Sequence, residues 1–156
     1  MNLSANFSLK ELTKSDTATR LGIDNTPDEE TIDNLKTLCD KVLQPVRDHF
    51  GKSVIINSGY RSPELNSSPA VGGSKTSDHC KGMAADIEIA GVANADLAQF
   101  IMDNLSYTQL ILEFYTQGIP DSGWVHVSYD PNNLKKQELT AVKVAGKTQY
   151  LNGLQA

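Results

Sequence analysis

The sequence predicts an α+β fold in which a small central antiparallel sheet packs against helices. Two observations carry this. Residues 26–50 hold Ile32, Leu35, Leu38, Cys39, Val42, Leu43, Val46 and Phe50 at helical spacing, the stripe of a helix buried on one side. Four short runs, at 54–56, 86–89, 109–114 and 124–129, are apolar or alternating and are bounded by turn residues, as strands are. A chain of 156 residues suits one domain with a real hydrophobic core. We divide it into a short N-terminal helix at 8–14, a core at about 26–130 and a tail at 131–156.

The elements follow in order. Ser8 begins the first helix as a cap, Glu11 completes a capping box, and Phe7 is placed to staple against Leu12. Residues 15–25 are polar and read as turns. Thr26-Pro27-Asp28-Glu29 reads as a second capping box with Pro27 in the first helical position. Pro45 interrupts the long stripe, so a kink or a lost hydrogen bond is expected there; Gly51 ends it. Val54-Ile55-Ile56 is a short buried strand left by the turn Asn57-Ser58-Gly59-Tyr60-Arg61, and residues 62–65 make one helical turn. Residues 66–76 form a glycine-bearing loop, either the rim of a groove or a plain connection. Asn94 caps a helix with Leu97, Ala98, Ile101, Met102 and Leu105 inward, which makes Met102 a core residue. In the tail only residues 139–144 alternate, as one more edge strand before a polar end.

Chemistry concentrates in Ser77-Asp78-His79-Cys80-Lys81-Gly82-Met83-Ala84-Ala85-Asp86. Gly82 is placed to fold His79, on a tight loop, back toward Asp86 at the start of a strand. Imidazole and carboxylate both suit Zn²⁺, and His126, in the alternating run 124–129, is the third candidate ligand. The plainer reading makes each histidine a hydrogen-bonded structural residue. His49 belongs to that reading, since a cation suits the end of its helix. Closing strands 109–114 and 124–129 symmetrically about their loop pairs residues whose numbers sum to about 239. That sets Glu113 across from His126, either as a base beside the metal or as an ion-pair partner.

Several classes are disfavoured. A net charge of −5 with no basic stripe argues against nucleic acid. No run approaches the roughly 18 apolar residues of a membrane span, so no membrane partner is expected. The N-terminus lacks the pattern of a secretory signal, so synthesis in a cytoplasm is expected, with release needed for any action outside. Two cysteines are too few for a disulfide framework and point to a reducing compartment. Cys39 falls on the apolar stripe, while Cys80 adjoins His79 and stays open as a ligand or nucleophile. A monomer is the expected state.

One ordered combination is specific. Ser58-Gly59-Tyr60-Arg61, Gly72-Gly73-Ser74, Ser77-x-His79, Gly82, Ala85-Asp86, Glu113 and Trp124-Val125-His126 together resemble the peptidase M15 family, over about residues 5–130. This is the group of zinc D-Ala-D-Ala carboxypeptidases and L-alanyl-D-glutamate endopeptidases that act on bacterial cell-wall peptides. More narrowly, the chain is similar to the phage-associated branch of subfamily A. The resemblance implies the hedgehog/D-Ala-D-Ala peptidase-like (LAS) fold. It also implies one Zn²⁺ per chain on His79, Asp86 and His126, and a carboxylate near His126 as general base. It places Arg61, Ser77 and Trp124 at the substrate, with Arg61 also orienting the reacting group. Many relatives carry the base two or three residues before the last histidine, where this chain has Trp124 and Gly123. Glu113 and Asp121 therefore both stand as candidates. The implied activity is hydrolysis within peptidoglycan stem peptides by a phage lysis enzyme. Its alternatives are a D-alanyl-D-alanine carboxypeptidase and a non-catalytic wall-binding or phage structural module. Amidase chemistry at the sugar–peptide junction uses similar ligands but a different order of motifs.

Overall fold

The stripe over residues 26–50 becomes three helical segments in a computed structural model that describes residues 1–73 and 77–155. Ahead of it, β1 (Asn2–Ser4) and β2 (Phe7–Ser8) form a small hairpin that runs into α1 (Leu9–Thr13). Ser8 and Glu11 make the expected capping box there. The polar stretch after it is not only turns. Ser15 caps α2 (Asp16–Leu21), and Gly22 closes it at φ 67°.

α3 (Glu29–Leu38) starts two residues later than expected. The cap is Asp28, whose carboxylate accepts from the Thr31 amide, rather than Thr26. A π turn (Cys39–Leu43) then leads into α4 (Gln44–Phe50), with the Gln44 amide bonded back to the Cys39 carbonyl. The wider turn gives Pro45 room where an α-helix would bring its ring against a carbonyl four residues back. The expected disturbance thus takes the form of a bulge.

β3 (Ile55–Ser58) is followed by α5 (Pro63–Ser67), a 3₁₀ turn (Asp78–Lys81), β4 (Ala84–Glu88) and α6 (Asn94–Asn104). β5 (Gln109–Glu113), β6 (Trp124–Ser128), β7 (Gln137–Val144) and β8 (Lys147–Asn152) complete the chain. The six-stranded sheet runs β3-β4-β6-β5-β7-β8. All neighbours are antiparallel except β5 and β7, which are parallel. Three expectations change. β3 lies at an edge and exposes Ile55, so it is not a buried strand. The tail supplies two strands instead of one before a polar end. Asn94 sits inside α6, whose cap position is Ala93, and its side chain bonds to the Ser122 and Gly123 carbonyls instead.

Strand alternation divides the sheet. Ala85, Ile87, Val125, Val127, Leu110 and Leu112 join Leu35, Leu38, Val42 and Val46 of the helices and Leu97 and Ile101 of α6 in one core. Met102 packs against that core half-buried. The other face carries Asp86 and His126 into an open groove. Among the described residues, no helix is long and apolar enough to cross a membrane.

Candidate metal centre

Asp86 and His126 are direct cross-strand neighbours on β4 and β6. Residues so paired in an antiparallel ladder present side chains side by side on one face. Asp86 Oδ1 lies 3.0 Å from His126 Nδ1. His79 arrives from the 3₁₀ turn, where the Ser77 hydroxyl accepts from the His79 amide. Gly82 ends that turn at φ 71°, so tightly against α3 that a β-carbon there would press on the Thr31 carbonyl. Only glycine combines that φ with that contact.

His79 is buried, and its Nδ1 lies 2.7 Å from the Gly59 carbonyl. A carbonyl only accepts, so Nδ1 is the donor, and Nε2 is left facing Asp86 Oδ1 at 3.5 Å. This is the outer hydrogen bond that fixes ring orientation in histidine metal ligands. Gly59 must be glycine for packing: a β-carbon would strike the Leu12 carbonyl of α1, to which Tyr60 also donates its amide. The Arg61 amide donates to the His79 carbonyl. β3's exit loop and the His79 turn are therefore tied by two backbone groups.

One donor atom each from His79, Asp86 and His126 lie within 4.8 Å of one another. Ligands bound to one zinc ion at about 2.0–2.1 Å lie no more than about 4 Å apart, and both measured separations from Asp86 are shorter than that. Two imidazoles and a carboxylate are a donor set zinc accepts, and three protein ligands leave a position open. Burial pushes the Asp86 carboxyl upward, but hydrogen bonds from His126 and His79, and their charge, hold it well below the usual range. Burial pushes His126 down, and the hydrogen bond to Asp86 with that carboxylate's charge outweighs it, so His126 is raised.

Glu113 faces the same groove, but not in the expected register. Ile111 stands opposite His126, and Glu113 opposite Trp124. β5 ends at Glu113 because Phe114 turns out of the strand at φ 56°, while Gly123, at φ 65°, packs against the Glu113 carbonyl. Paired residue numbers sum to 237 instead of 239. A slip of two keeps the face, since alternation has period two, so Glu113 still rises beside His126. Trp124 Nε1 donates to Glu113 Oε2 at 2.6 Å. Burial raises the Glu113 carboxyl, and Asp86 adds to this; His126, the Trp124 hydrogen bond and Arg61 pull the other way.

Arg61 and Ser77 line this groove of about 520 Å³ with the three ligand candidates, Glu113 and Trp124. Arg61 Nε is buried with no hydrogen-bond partner among the described residues. Arg61 and Val71 also border a second cavity of about 420 Å³ that includes Lys14, Asn57 and Tyr60. Asp121 is exposed on the β5–β6 loop and is not among the described lining residues. Cys80 lies in a separate small cavity with Pro63 and Asn66, and burial pushes its thiol up. His49 stacks on Phe100 at 4.0 Å, away from the groove. Of the 66–76 loop, Val71, Gly72 and Gly73 line the groove, so that part is its rim; residues 74–76, with the Ser74 of the glycine motif, lie outside the described residues. Sequence reasoning missed the Gly59 carbonyl, a backbone group that no side-chain pattern marks, and missed Gln109 and Tyr150 on the groove's far side.

The family model described as Peptidase M15 matches residues 5–128. No curated protein matches the chain. The matched stretch contains all three candidate ligands, Arg61, Ser77, Glu113 and Trp124. It stops at the last residue of β6, so β7 and β8 lie beyond it.

Proposed function

The chain belongs to the peptidase M15 family, and from that premise we propose that it is a zinc peptidase cleaving within peptidoglycan stem peptides, an L-alanyl-D-glutamate endopeptidase serving as a phage lysis enzyme. The observation that carries the reading is the convergence of His79, Asp86 and His126, with the Glu113 carboxylate on the same sheet face as Asp86 and His126. The phage setting rests on the order of motifs alone, and the monomeric state on what is usual for a small enzyme acting on a polymer.

The residues present fit one Zn²⁺ held by His79, Asp86 and His126. When bound, the ion supplies Lewis acidity at its open position, polarising an amide carbonyl and making water a nucleophile near neutral pH. Glu113 is the base. Trp124 Nε1 occupies Oε2, which leaves Oε1 to take a proton from the attacking water and return it to the leaving amine. Its raised affinity for protons, set by burial and Asp86, suits a group that must both accept and release one. The unpartnered Arg61 Nε gives the guanidinium a donor to spend on a substrate carboxylate or on the developing oxyanion. Ser77 acts by holding the His79 turn, and Trp124 both lines the groove and aims the base.

An internal cut is favoured over removal of a terminal D-alanine because Arg61 and Val71 border a second cavity as well as the groove, which offers space next to Arg61 for more substrate than one residue. Digestion of purified peptidoglycan by the zinc-loaded protein, read by mass spectrometry, tests both. Fragments with new L-Ala carboxyl and D-Glu amino ends are expected. Loss of terminal D-Ala alone would make the chain a carboxypeptidase. No cleavage by wild type, or cleavage that Glu113→Gln leaves unchanged, would overturn the mechanism.

A further inference from the structure

β7 and β8 extend the sheet past the stretch that the family model matches, yet one of their side chains reaches the groove. The register gives a row across three strands: Glu113 on β5 pairs with Ala141 on β7, and Ala141 pairs with Tyr150 on β8. Strands are spaced about 4.8 Å apart, so Tyr150 sits about 10 Å along the row from Glu113. The residue between them has only a methyl group, fully buried, and raises no wall. Tyr150 thus lines the same groove as His79, Asp86, His126 and Glu113 while remaining 57% exposed. An aromatic ring left that open on a polar edge strand contributes little to the core, and tyrosine is a residue that binding surfaces use as an amphipathic anchor.

The two ends of the groove differ in basic charge. Arg61, at the β3 side, is the one Arg or Lys among the described lining residues, whereas on the other side Gln109, Ile111, Trp124 and Tyr150 are uncharged and Glu113 is acidic. Gln109 is held by a hydrogen bond to Gln137 of β7. In a stem peptide cut before D-Glu, the residue that leaves as the amine carries a free carboxylate, and the muramoyl-L-Ala portion on the acyl side does not. Resting on the peptidase reading above, we propose that Tyr150 forms the acyl-side wall of the groove. Its ring packs on the uncharged portion of substrate preceding the scissile bond, while Arg61 takes the acidic portion that follows. Tyr150 is a specificity-determining residue supplied by a hairpin outside the family's shared core, and it takes no part in the bond cleavage.

The test compares two soluble substrates with the same scissile bond. One carries the muramoyl group on its acyl side, and the other is cut back to the residue bearing the scissile carbonyl. Tyr150→Ala is expected to raise KM about tenfold on the longer substrate with kcat little changed, and to leave the shorter one unaffected. Tyr150→Phe keeps the ring and should behave as wild type on both. Zinc-free protein should also sediment less with insoluble peptidoglycan once Tyr150 is replaced by alanine, a readout independent of turnover. Equal losses on both substrates, or unchanged KM and unchanged sedimentation, would overturn the proposal. If wild type cleaves neither substrate, the peptidase reading fails, and sedimentation alone then decides whether Tyr150 contacts the polymer.

Discussion

The middle of the six-stranded sheet and its C-terminal margin are built by opposite rules. In β4, β5 and β6 the core face is Ala85, Ile87, Leu110, Leu112, Val125 and Val127, all fully buried. The corresponding face of β7 offers Glu138 and Thr140, which are held by hydrogen bonds: the Tyr107 hydroxyl donates to Glu138, and Thr140 exchanges bonds with Gly153 and Gln155. β8 has no buried residue. The middle therefore gets its rigidity from packing, which is unforgiving, and holds the groups that must converge within a few tenths of an ångström. The margin is held by backbone pairing and polar bonds, so the exposed side chains of β8 can change with little effect on the fold. Such a division lets recognition vary without moving His79, Asp86 and His126.

The sharpest way to break this comparison is at Asp86, whose Oδ1 faces a ring nitrogen of each histidine. Asp86→Asn removes a charged ligand and leaves a neutral amide between two imidazoles. Metal affinity should fall by more than the roughly 10–100-fold that losing an outer partner costs. Elemental analysis should find about one equivalent of zinc in wild type and little in the variant, while Thr148→Ala at the margin keeps its zinc. Retention by Asp86→Asn would remove Asp86 from the site. The packing half of the comparison predicts that Leu112→Ala costs about 2–5 kcal/mol in urea unfolding. Thr148→Ala, exposed on β8, should stay within about 0.5 kcal/mol. Similar losses for both would mean that the margin is as tightly built as the middle.

The same contrast explains what could be read from the sequence. Central strands announce themselves because burial demands Val, Ile and Leu, and the long helix does so through its stripe. The capping box at Ser8 is local and was legible. α2 was not, because six residues with only Ala18 buried carry no periodicity. β8 was not, because an exposed strand has no pattern to show. The parallel pairing of β7 with β5 is a matter of topology, which short-range signals do not encode. The slip in the β5–β6 register traces to the left-handed turn of Phe114, a conformation that a phenylalanine does not advertise. The grouping of His79, Asp86 and His126 was legible through donor chemistry and motif order. The Gly59 carbonyl and Tyr150 were not: one is backbone, and the other lies in the part of the chain with no motif.

Gly59 gives a smaller test of how the middle is held from outside. A methyl group there would strike the Leu12 carbonyl and push β3's exit loop away from His79. Gly59→Ala should weaken zinc binding about 10–100-fold through loss of the outer hydrogen bond. Competition with a chelator measures it. Unchanged affinity would show that His79 is oriented by its own turn alone.

The smallest expected effect concerns the aim of the base. Glu113 must be ionised to accept a proton, so kcat/KM should fall as pH drops through its titration. Burial and Asp86 raise that titration, while the Trp124 hydrogen bond to Oε2 favours the ionised form and lowers it. Trp124→Phe keeps an aromatic ring beside Phe114 but removes the donor. The carboxyl then holds its proton more tightly, and the acid limb of the pH profile should move to higher pH. Above that limb Glu113 is ionised in both proteins, so their rates should draw together; below it the variant should fall progressively behind. A constant ratio of rates at every pH would mean that the indole only fills space and that something else orients Glu113.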